Sequence, residues 1–383
     1  MEFLTQLVQF ESAPGDPFRP TSTPIYQSAT FEQEFATSFG DYDYSRSGNP
    51  TRDVLQNQLA RLDEGVAGFA FASGMAATTC MAALVPAGSR ILIGADIYGG
   101  TYRFMERIAR HQGVEIGHVD TTDLEAVKEA LTPETRLLFM ETPTNPMLQI
   151  SDLRALARLA QANGTLLAVD ATLMSPYLMK PLSLGADIVM HSATKALSGH
   201  ADLMAGALVV RDSELAERIG FLQNAQGTGL GPFECFLLLR GMKTLGIRME
   251  QQQRNARHLA QWLRERNELV KVVYPGFDDH PGHDLHVAQA DGPGPVISVL
   301  AGTPERAVRL VEGLRLFRTT VSFGSLTSTV SLPYNMSHAS IPEAVRNTKA
   351  FTPDLVRLSV GIEDVRDLQN DLDRVLGELE AAR

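Results

Sequence analysis

The sequence predicts an α/β protein built on a mainly parallel sheet, followed by a smaller α+β domain, and three observations carry this. Short apolar runs alternate with helical spacing from about residue 50 to 223, so the repeated unit is strand, helix, strand. The rhythm changes after about residue 234, where a long helical stretch gives way to separated strands. The 383 residues suffice for two domains of roughly 150 residues, or one large domain with an appendage.

Residues 1–50 lack sustained periodicity and carry scattered Pro and Gly, from APGDPFRPTSTP to SRSGNP, which reads as an irregular N-terminal arm. Pro50 suits the first turn of a helix, Leu55, Leu59 and Leu62 recur at helical spacing, and Gly65 stands at the cap, so a helix is expected over 51–63. Strands are expected at Gly68–Phe71, Arg90–Ile93, Val114–Val119, Arg136–Met140, Leu166–Val169, Ile188–Met190 and Ala207–Val210. Between several of them lie helix candidates at about 75–84, 102–111, 123–131, 152–162 and 212–223. This gives a large domain over 51–233 and a C-terminal domain over 234–383 that begins with a long connecting helix. The latter holds strands near Val270–Val273, Val296–Leu300, Leu316–Ser322 and Leu355–Val360, with helices near 304–314 and 363–380. Val365, Leu368, Leu372, Val375 and Leu379 give the last helix an apolar stripe.

Composition narrows the function. With 44% apolar residues, 21% charged and 2 Cys, this is an ordinary globular chain, not a disulfide scaffold. A net charge of -11 has the wrong sign for long-range attraction to nucleic acid. No run reaches the ~18 apolar residues of a membrane span, and the opening MEFLTQLVQFE has no basic leader, so a cytoplasmic protein is expected. Cys80 and Cys235, in apolar surroundings, read as buried reduced thiols.

In an open parallel sheet, ligands gather at the carboxyl ends of the strands. There the sequence places Asp187-Ile-Val-Met-His-Ser-Ala-Thr-Lys195, an apolar strand ending in hydroxyls and a lysine. Burial would lower that lysine's pKa and favour the neutral amine that attacks a carbonyl. Asp170 ends the apolar run TLLAVD, where a carboxylate needs a cation or strong donor, such as a protonated pyridine nitrogen. Ser73-Gly74-Met75 follows GFAFA and opens a helix, whose amides and positive dipole end can hold a phosphate. Ser192 and Thr194, at i and i+2, can present their hydroxyls to the same group. Arg357 lies in the strand-like LVRLSV, where an arginine among apolar neighbours needs an anionic partner. Lysine, carboxylate and phosphate cup together describe a pyridoxal 5'-phosphate (PLP) site.

The motifs YSRSGNPT (44–51), SGMAA (73–77), YGGTYR (98–103), ETPTNP (141–146), VDAT (169–172), HSATKALSGH (191–200), GMKTLGIRME (241–250), MSHASIP (336–342) and LVRLSVGIED (355–364) resemble the Cys/Met-metabolism, or trans-sulfuration, family of PLP-dependent enzymes. The resemblance spans about residues 20–375, with the motifs in family order. It implies the type I, aspartate aminotransferase-like fold of PLP-dependent transferases and a homotetramer built from two active dimers. By resemblance, Lys195 is the cofactor-linked lysine and the base at the substrate Cα, Asp170 pairs with the pyridine nitrogen, and Tyr98 stacks on the ring and joins Lys195 as a catalytic residue. Gly74, Met75, Ser192 and Thr194 hold the phosphate, joined by Tyr44 and Arg46 from a neighbouring subunit. Arg357 clamps the substrate carboxylate, with Asn145 and Ser322 assisting, and the substrate is a small sulfur amino acid.

Family members carry out β-elimination, γ-elimination or γ-replacement on such substrates. FGDYDYSRSGNPT, GFAFASGMAA and FLQNAQGTGLG resemble the β-eliminating cystathionine lyases, with γ-synthases and then γ-lyases as alternatives. Departures from the family pattern are Ala171, where Asn often follows the aspartate; Gly100, where methionine γ-lyases have Cys; and Thr327, where many γ-active members have Glu.

Three other signals are set aside. His280-Pro-Gly-His283-Asp-Leu-His286 reads as a polar loop without helical i, i+4 geometry, so no metal is expected. Gly227-Thr-Gly229-Leu-Gly231 reads as a bend and implies no dinucleotide. Ser192-Ala-Thr-Lys195 matches the S-x-x-K of serine acyl-enzymes, but Leu245 after Lys243-Thr244 breaks the accompanying K-T-G.

Overall fold

A computed structural model describes residues 1–339, 341–347 and 352–381. Its larger sheet has seven strands: β1 (Ala67–Phe71), β2 (Arg90–Gly94), β3 (Glu115–Val119), β4 (Thr135–Glu141), β5 (Leu166–Asp170), β6 (Ile188–His191) and β7 (Gly206–Val210). They lie in the order β1-β7-β6-β5-β4-β2-β3. Only β7 runs antiparallel to its neighbours, so the other six direct their carboxyl ends to one edge. A second, five-stranded sheet orders β8 (Lys271–Val273), β9 (Val296–Leu300), β10 (Arg318–Thr319), β11 (Thr329–Ser331) and β12 (Leu355–Ser359) as β10-β11-β12-β9-β8.

Alternation within the strands sends side chains to two cores. In β4, Leu138 and Met140 join the cluster beneath the helix Pro50–Leu62, while Leu137 and Phe139 join the opposite face with Phe71 and Ile188. Sequence sets the helix starts: Asn49 accepts from the amides of Thr51 and Arg52 with Pro50 at the first position, and Ser73, Asp152 and Asp212 cap three others. The 227–231 bend is borne out: Gly227, left-handed, closes the helix Ser213–Gln226, and Gly231 precedes the next.

Four expectations need correction. The N-terminal arm is not wholly irregular, because Phe3–Val8 forms a helix that buries Leu7 and whose Gln6 carbonyl accepts from Gln58 Nε2 at 2.7 Å. The long connecting helix is two helices, Pro232–Met242 and Leu245–Arg264, interrupted at Lys243 and Thr244. The first carries Leu238 and Met242 into the core of the larger sheet, and Leu245 and Met249 of the second follow them, so the change of rhythm near 234 is not a change of core. The strand expected at Leu316–Ser322 shrinks to Arg318–Thr319, and the remainder is loop. His283–Gln289 is helical, started by left-handed Gly282; at seven residues it is too short to show a period in sequence. Its histidines have protein partners: His283 Nδ1 lies 3.0 Å from the Pro275 carbonyl, and His286 Nε2 lies 2.9 Å from that of Gly292. Cys80 and Cys235 are buried free thiols, both pushed up to about 12 by burial. Among the described residues no helix is long and apolar enough to cross a membrane.

Candidate active site

The parallel strand ends converge as the sequence reading requires. Glu141 and Asp170 end β4 and β5 as register partners, the turn Ser192–Lys195 leaves β6, and the helix Gly74–Ala82 follows β1. From the second sheet, β12 brings in Arg357. Together they line a cavity of about 370 Å³ that also includes Met75, Tyr98, Asn145, Thr194 and Ser322. Ten of the twelve residues named from sequence therefore meet in one place. Tyr44 and Arg46 do not; both are exposed and outside the cavity, with Arg46 Nη1 donating to Asn224 at 2.8 Å and 3.0 Å.

Lys195 Nζ donates to Ser322 Oγ at 2.5 Å. Burial pushes its amine down to about 8, assisted by the Arg357 charge and opposed by Asp170. Ser322 holds a left-handed φ of 87°, which costs a non-glycine residue and aims its hydroxyl at the lysine and its carbonyl at Arg357. The amine thus engages Ser322 rather than Ser192 of the S-x-x-K match.

Asp170 Oδ1 accepts both from the Thr172 amide, at 3.0 Å, and from the Thr172 hydroxyl. Oδ2 accepts nothing among the described residues. Burial raises the acid's pKa, against the pull of Thr172, His191 and Lys195. Its neighbour Glu141 is held well above the carboxylate range by burial and by the Asp170 charge, and accepts from the Tyr98 amide at 2.7 Å.

At the other end, Ser73 Oγ accepts from the Ala76 amide at 3.1 Å, and the amides of Gly74 and Met75, in the first turn, have no carbonyl within the helix to bond. Gly206 of β7 lets this turn approach, since an added Cβ would collide with the Ser73 carbonyl. The Thr194 hydroxyl exchanges hydrogen bonds with the Ala205 backbone at 3.2 Å and 2.9 Å, which fixes the turn carrying Lys195.

Arg357 is 2% exposed and has no acidic partner among the described residues. Nη1 donates to Asn145 Oδ1 at 2.8 Å and Nη2 to the Ser322 carbonyl at 2.7 Å, while burial pushes the guanidinium down to about 10. A buried cation held only by neutral acceptors is prepared for an anionic ligand.

Sequence reasoning missed Glu141, Thr172 and Phe323. Glu141 had the signal that found Asp170, an acidic residue closing an apolar strand. Phe323 lies 5.4 Å from Lys195 Nζ and 5.2 Å from Arg357 Cζ, contacts that only the fold creates.

These residues fit pyridoxal 5'-phosphate. The open Asp170 Oδ2 suits a pyridinium N–H, Lys195 is a buried amine of lowered pKa, and the Gly74–Met75 amides suit a phosphate.

The model of the family described as "Cys/Met metabolism PLP-dependent enzyme" matches residues 4–377. A cystathionine beta-lyase, chloroplastic, of Arabidopsis thaliana is 51% identical over 358 residues, covering 94% of this chain and 77% of that protein. The cystathionine gamma-lyase of Lactobacillus plantarum, solved with L-serine, superposes with a TM-score of 0.96 at 42% identity over 99% of this chain and 100% of that one. The cystathionine gamma synthase of Xanthomonas oryzae pv. oryzae, solved with cystathionine, gives 0.97 at 36% identity over 100% of both chains.

Proposed function

The chain belongs to the Cys/Met-metabolism family of PLP-dependent enzymes, and from that premise we propose that it is a cystathionine β-lyase, converting L-cystathionine and water to homocysteine, pyruvate and ammonia. The observation that carries β-elimination is the 51% identity to a protein of that name across nearly the whole chain. Thr327 supports it, since its hydroxyl pairs with neighbouring Ser325 at 3.4 Å where a glutamate would mark many γ-active members.

The residues divide the work. Gly74, Met75, Ser192 and Thr194 hold the phosphate, completed by Tyr44 and Arg46 of a neighbouring subunit. Asp170 Oδ2 would accept a hydrogen bond from the protonated ring nitrogen, and Tyr98 would cover the ring. Bound pyridoxal 5'-phosphate supplies the electron sink that acidifies the substrate Cα–H. Arg357, steadied by Asn145 and Ser322, takes the substrate carboxylate in a bidentate grip. Lys195 takes the Cα proton and returns a proton to the departing sulfur, and its lowered pKa suits both transfers near neutrality.

The assembly belongs to the same proposal: a tetramer of two active dimers, each site borrowing the arm of its neighbour. Exposed Tyr44 and Arg46, together with Phe18 at 90% and Phe39 at 69% exposure, support an arm that packs on another chain. A division into arm (1–50), cofactor domain (51–233) and C-terminal domain (234–383) is supported by the grouping of strands into two sheets, although the helix Pro232–Met242 and the start of the next pack in the core of the first. Two buried unpaired thiols support a reducing, cytoplasmic setting.

The γ-synthase reading is the first alternative, supported by the 0.97 superposition on the X. oryzae enzyme, and γ-lyase the second, supported by the 0.96 superposition on the L. plantarum enzyme. Product analysis of the holoenzyme on L-cystathionine separates them: pyruvate with homocysteine is expected, and 2-oxobutyrate with cysteine overturns the β-assignment. Turnover only with an activated homoserine ester and cysteine would make it a γ-synthase. Lys195→Ala is expected to keep the cofactor through the phosphate contacts and to lose nearly all turnover.

A further inference from the structure

Beneath the site lies an ion pair that the chemistry above leaves unused. His191 ends β6 and Asp63 follows the helix Pro50–Leu62; their side chains are 1% and 0% exposed, with Nε2 and Oδ2 2.9 Å apart. The register brings the pair to the cofactor end of the sheet: Asp170 of β5 is opposite Met190, the residue before His191, and the Ala171 amide donates to the Met190 carbonyl at 3.0 Å. We propose that Asp63 and His191 form a buried charge relay behind Asp170, in which Asp63 holds His191 as the imidazolium and that cation keeps Asp170 ionised for the cofactor's ring nitrogen. Asp63 and His191 are positioning residues; neither lines the cavity.

A buried ion pair costs desolvation and needs a return. Burial alone would lower the His191 pKa, yet the Asp63 charge and hydrogen bond, the Asp170 charge and the Ala171 backbone reverse this and raise it. Conversely, His191 is among the groups that oppose the upward push of burial on Asp170. The charged groups around the relay are Asp63, Asp170, Glu141 beyond Asp170, and Lys195. Burial and the Asp170 charge push the Glu141 acid upward, whereas Asp170 has the cations His191 and Lys195 pulling it down; His191, one residue past its register partner Met190, acts from the opposite face of the sheet.

This inference rests on the proposed meeting of Asp170 with the ring nitrogen, and the test separates the two. The variants Asp63→Asn, His191→Gln and Asp170→Asn are loaded with ¹⁵N-labelled pyridoxal 5'-phosphate, and the ring-nitrogen resonance is followed with pH. Asp63→Asn and His191→Gln are expected to move the resonance toward that of the unprotonated ring and to weaken cofactor binding about tenfold, the equivalent of one pKa unit of coupling. Asp63→Glu, which restores the carboxylate, is expected to restore the wild-type resonance. If Asp170→Asn shifts the resonance while Asp63→Asn and His191→Gln leave it unmoved, the relay is wrong and the Asp170 role stands. If Asp170→Asn itself has no effect, the role of Asp170 fails, and the relay with it. Should His191→Gln not fold, Asp63→Asn, which keeps the side-chain size and a hydrogen-bonding oxygen, decides alone.

Discussion

The Lys195 amine donates to the Ser322 hydroxyl at 2.5 Å, and the Ser322 carbonyl accepts from Arg357 at 2.7 Å, so one strained residue joins the proposed base to the proposed carboxylate clamp. Ser322→Ala removes only the first bond. A fall in kcat with KM nearly constant is expected, because the amine loses its aim while Arg357 keeps its grip. A rise in KM alone would assign Ser322 to substrate binding.

The same lysine makes the cofactor-free enzyme pH-sensitive. Its amine is pushed down to about 8 in the fold from its ordinary value of 10.5, so below pH 8 the buried ammonium costs stability in full. Between 8 and 10.5 the unfolded chain holds more protons at this site than the folded one, and this contribution to stability rises with pH. Lys195→Met apoenzyme is therefore expected to exceed the wild type by up to about 3 kcal/mol at pH 7, with the gap closing toward pH 10.5. Denaturant melts at the two pH values check this; a pH-independent gap counts against a buried, perturbed amine.

How much of the site was legible follows from where its groups sit in the chain. Lys195 and Asp170 could be read because each ends an apolar run, and a parallel sheet sends such ends to one edge. Arg357 could be read because it interrupts one. The Asp63–His191 pair could not, since its partners are 128 residues apart and only the packing of a helix end on β6 joins them. Ser322 was named by resemblance alone: its loop was expected as strand, and its left-handed backbone leaves no sequence signature in a serine. The helices Phe3–Val8 and His283–Gln289 were missed because so few turns display no period.

Arg248 clamps the turn that carries Lys195. It donates to the Ala196 carbonyl at 2.8 Å, to Leu197 at 3.3 Å and to Gly241 at 3.0 Å, and burial without a carboxylate pushes it down to about 10. Arg248→Met fills similar space but strands the Ala196 and Leu197 carbonyls, each worth about 1–3 kcal/mol when left unpaired, while Gly241 keeps its bonds from Thr244. A loss of about 3 kcal/mol or more is expected by denaturant melt, with slower cofactor attachment at Lys195. Wild-type stability would mean that the clamp is redundant.

Gly100 lets the Tyr98 ring occupy its place. An added Cβ would collide with Tyr98 Cε1 and stand 3.0 Å from Cζ, so Gly100→Ala must turn the ring. Because Gly100 lies in the helix Gly99–Phe104, alanine is otherwise favourable there by up to about 1 kcal/mol. Stability is expected to hold while kcat/KM falls about tenfold or more, the scale of a catalytic group displaced by a fraction of an ångström. Unchanged kcat/KM would remove Tyr98 from the chemistry.

The last prediction concerns the arm. Arg46 is exposed, stacks 5.4 Å from its own Tyr44 and bonds Asn224, so within its own chain it reaches no part of the cavity. If it completes a neighbour's phosphate cup, each site draws Lys195 from one subunit and Arg46 from the other across a two-fold interface. Arg46→Ala and Lys195→Ala homo-oligomers are both expected to be nearly inactive. Unfolded together and reassembled, they form hybrids in which one site collects both defects and the other neither. Random pairing makes half the dimers hybrid with one intact site of two, so activity is expected to return to about a quarter of wild type. Hybrids demonstrated by mass but without activity would show that Arg46 acts within its own chain, and the shared site would have to be abandoned.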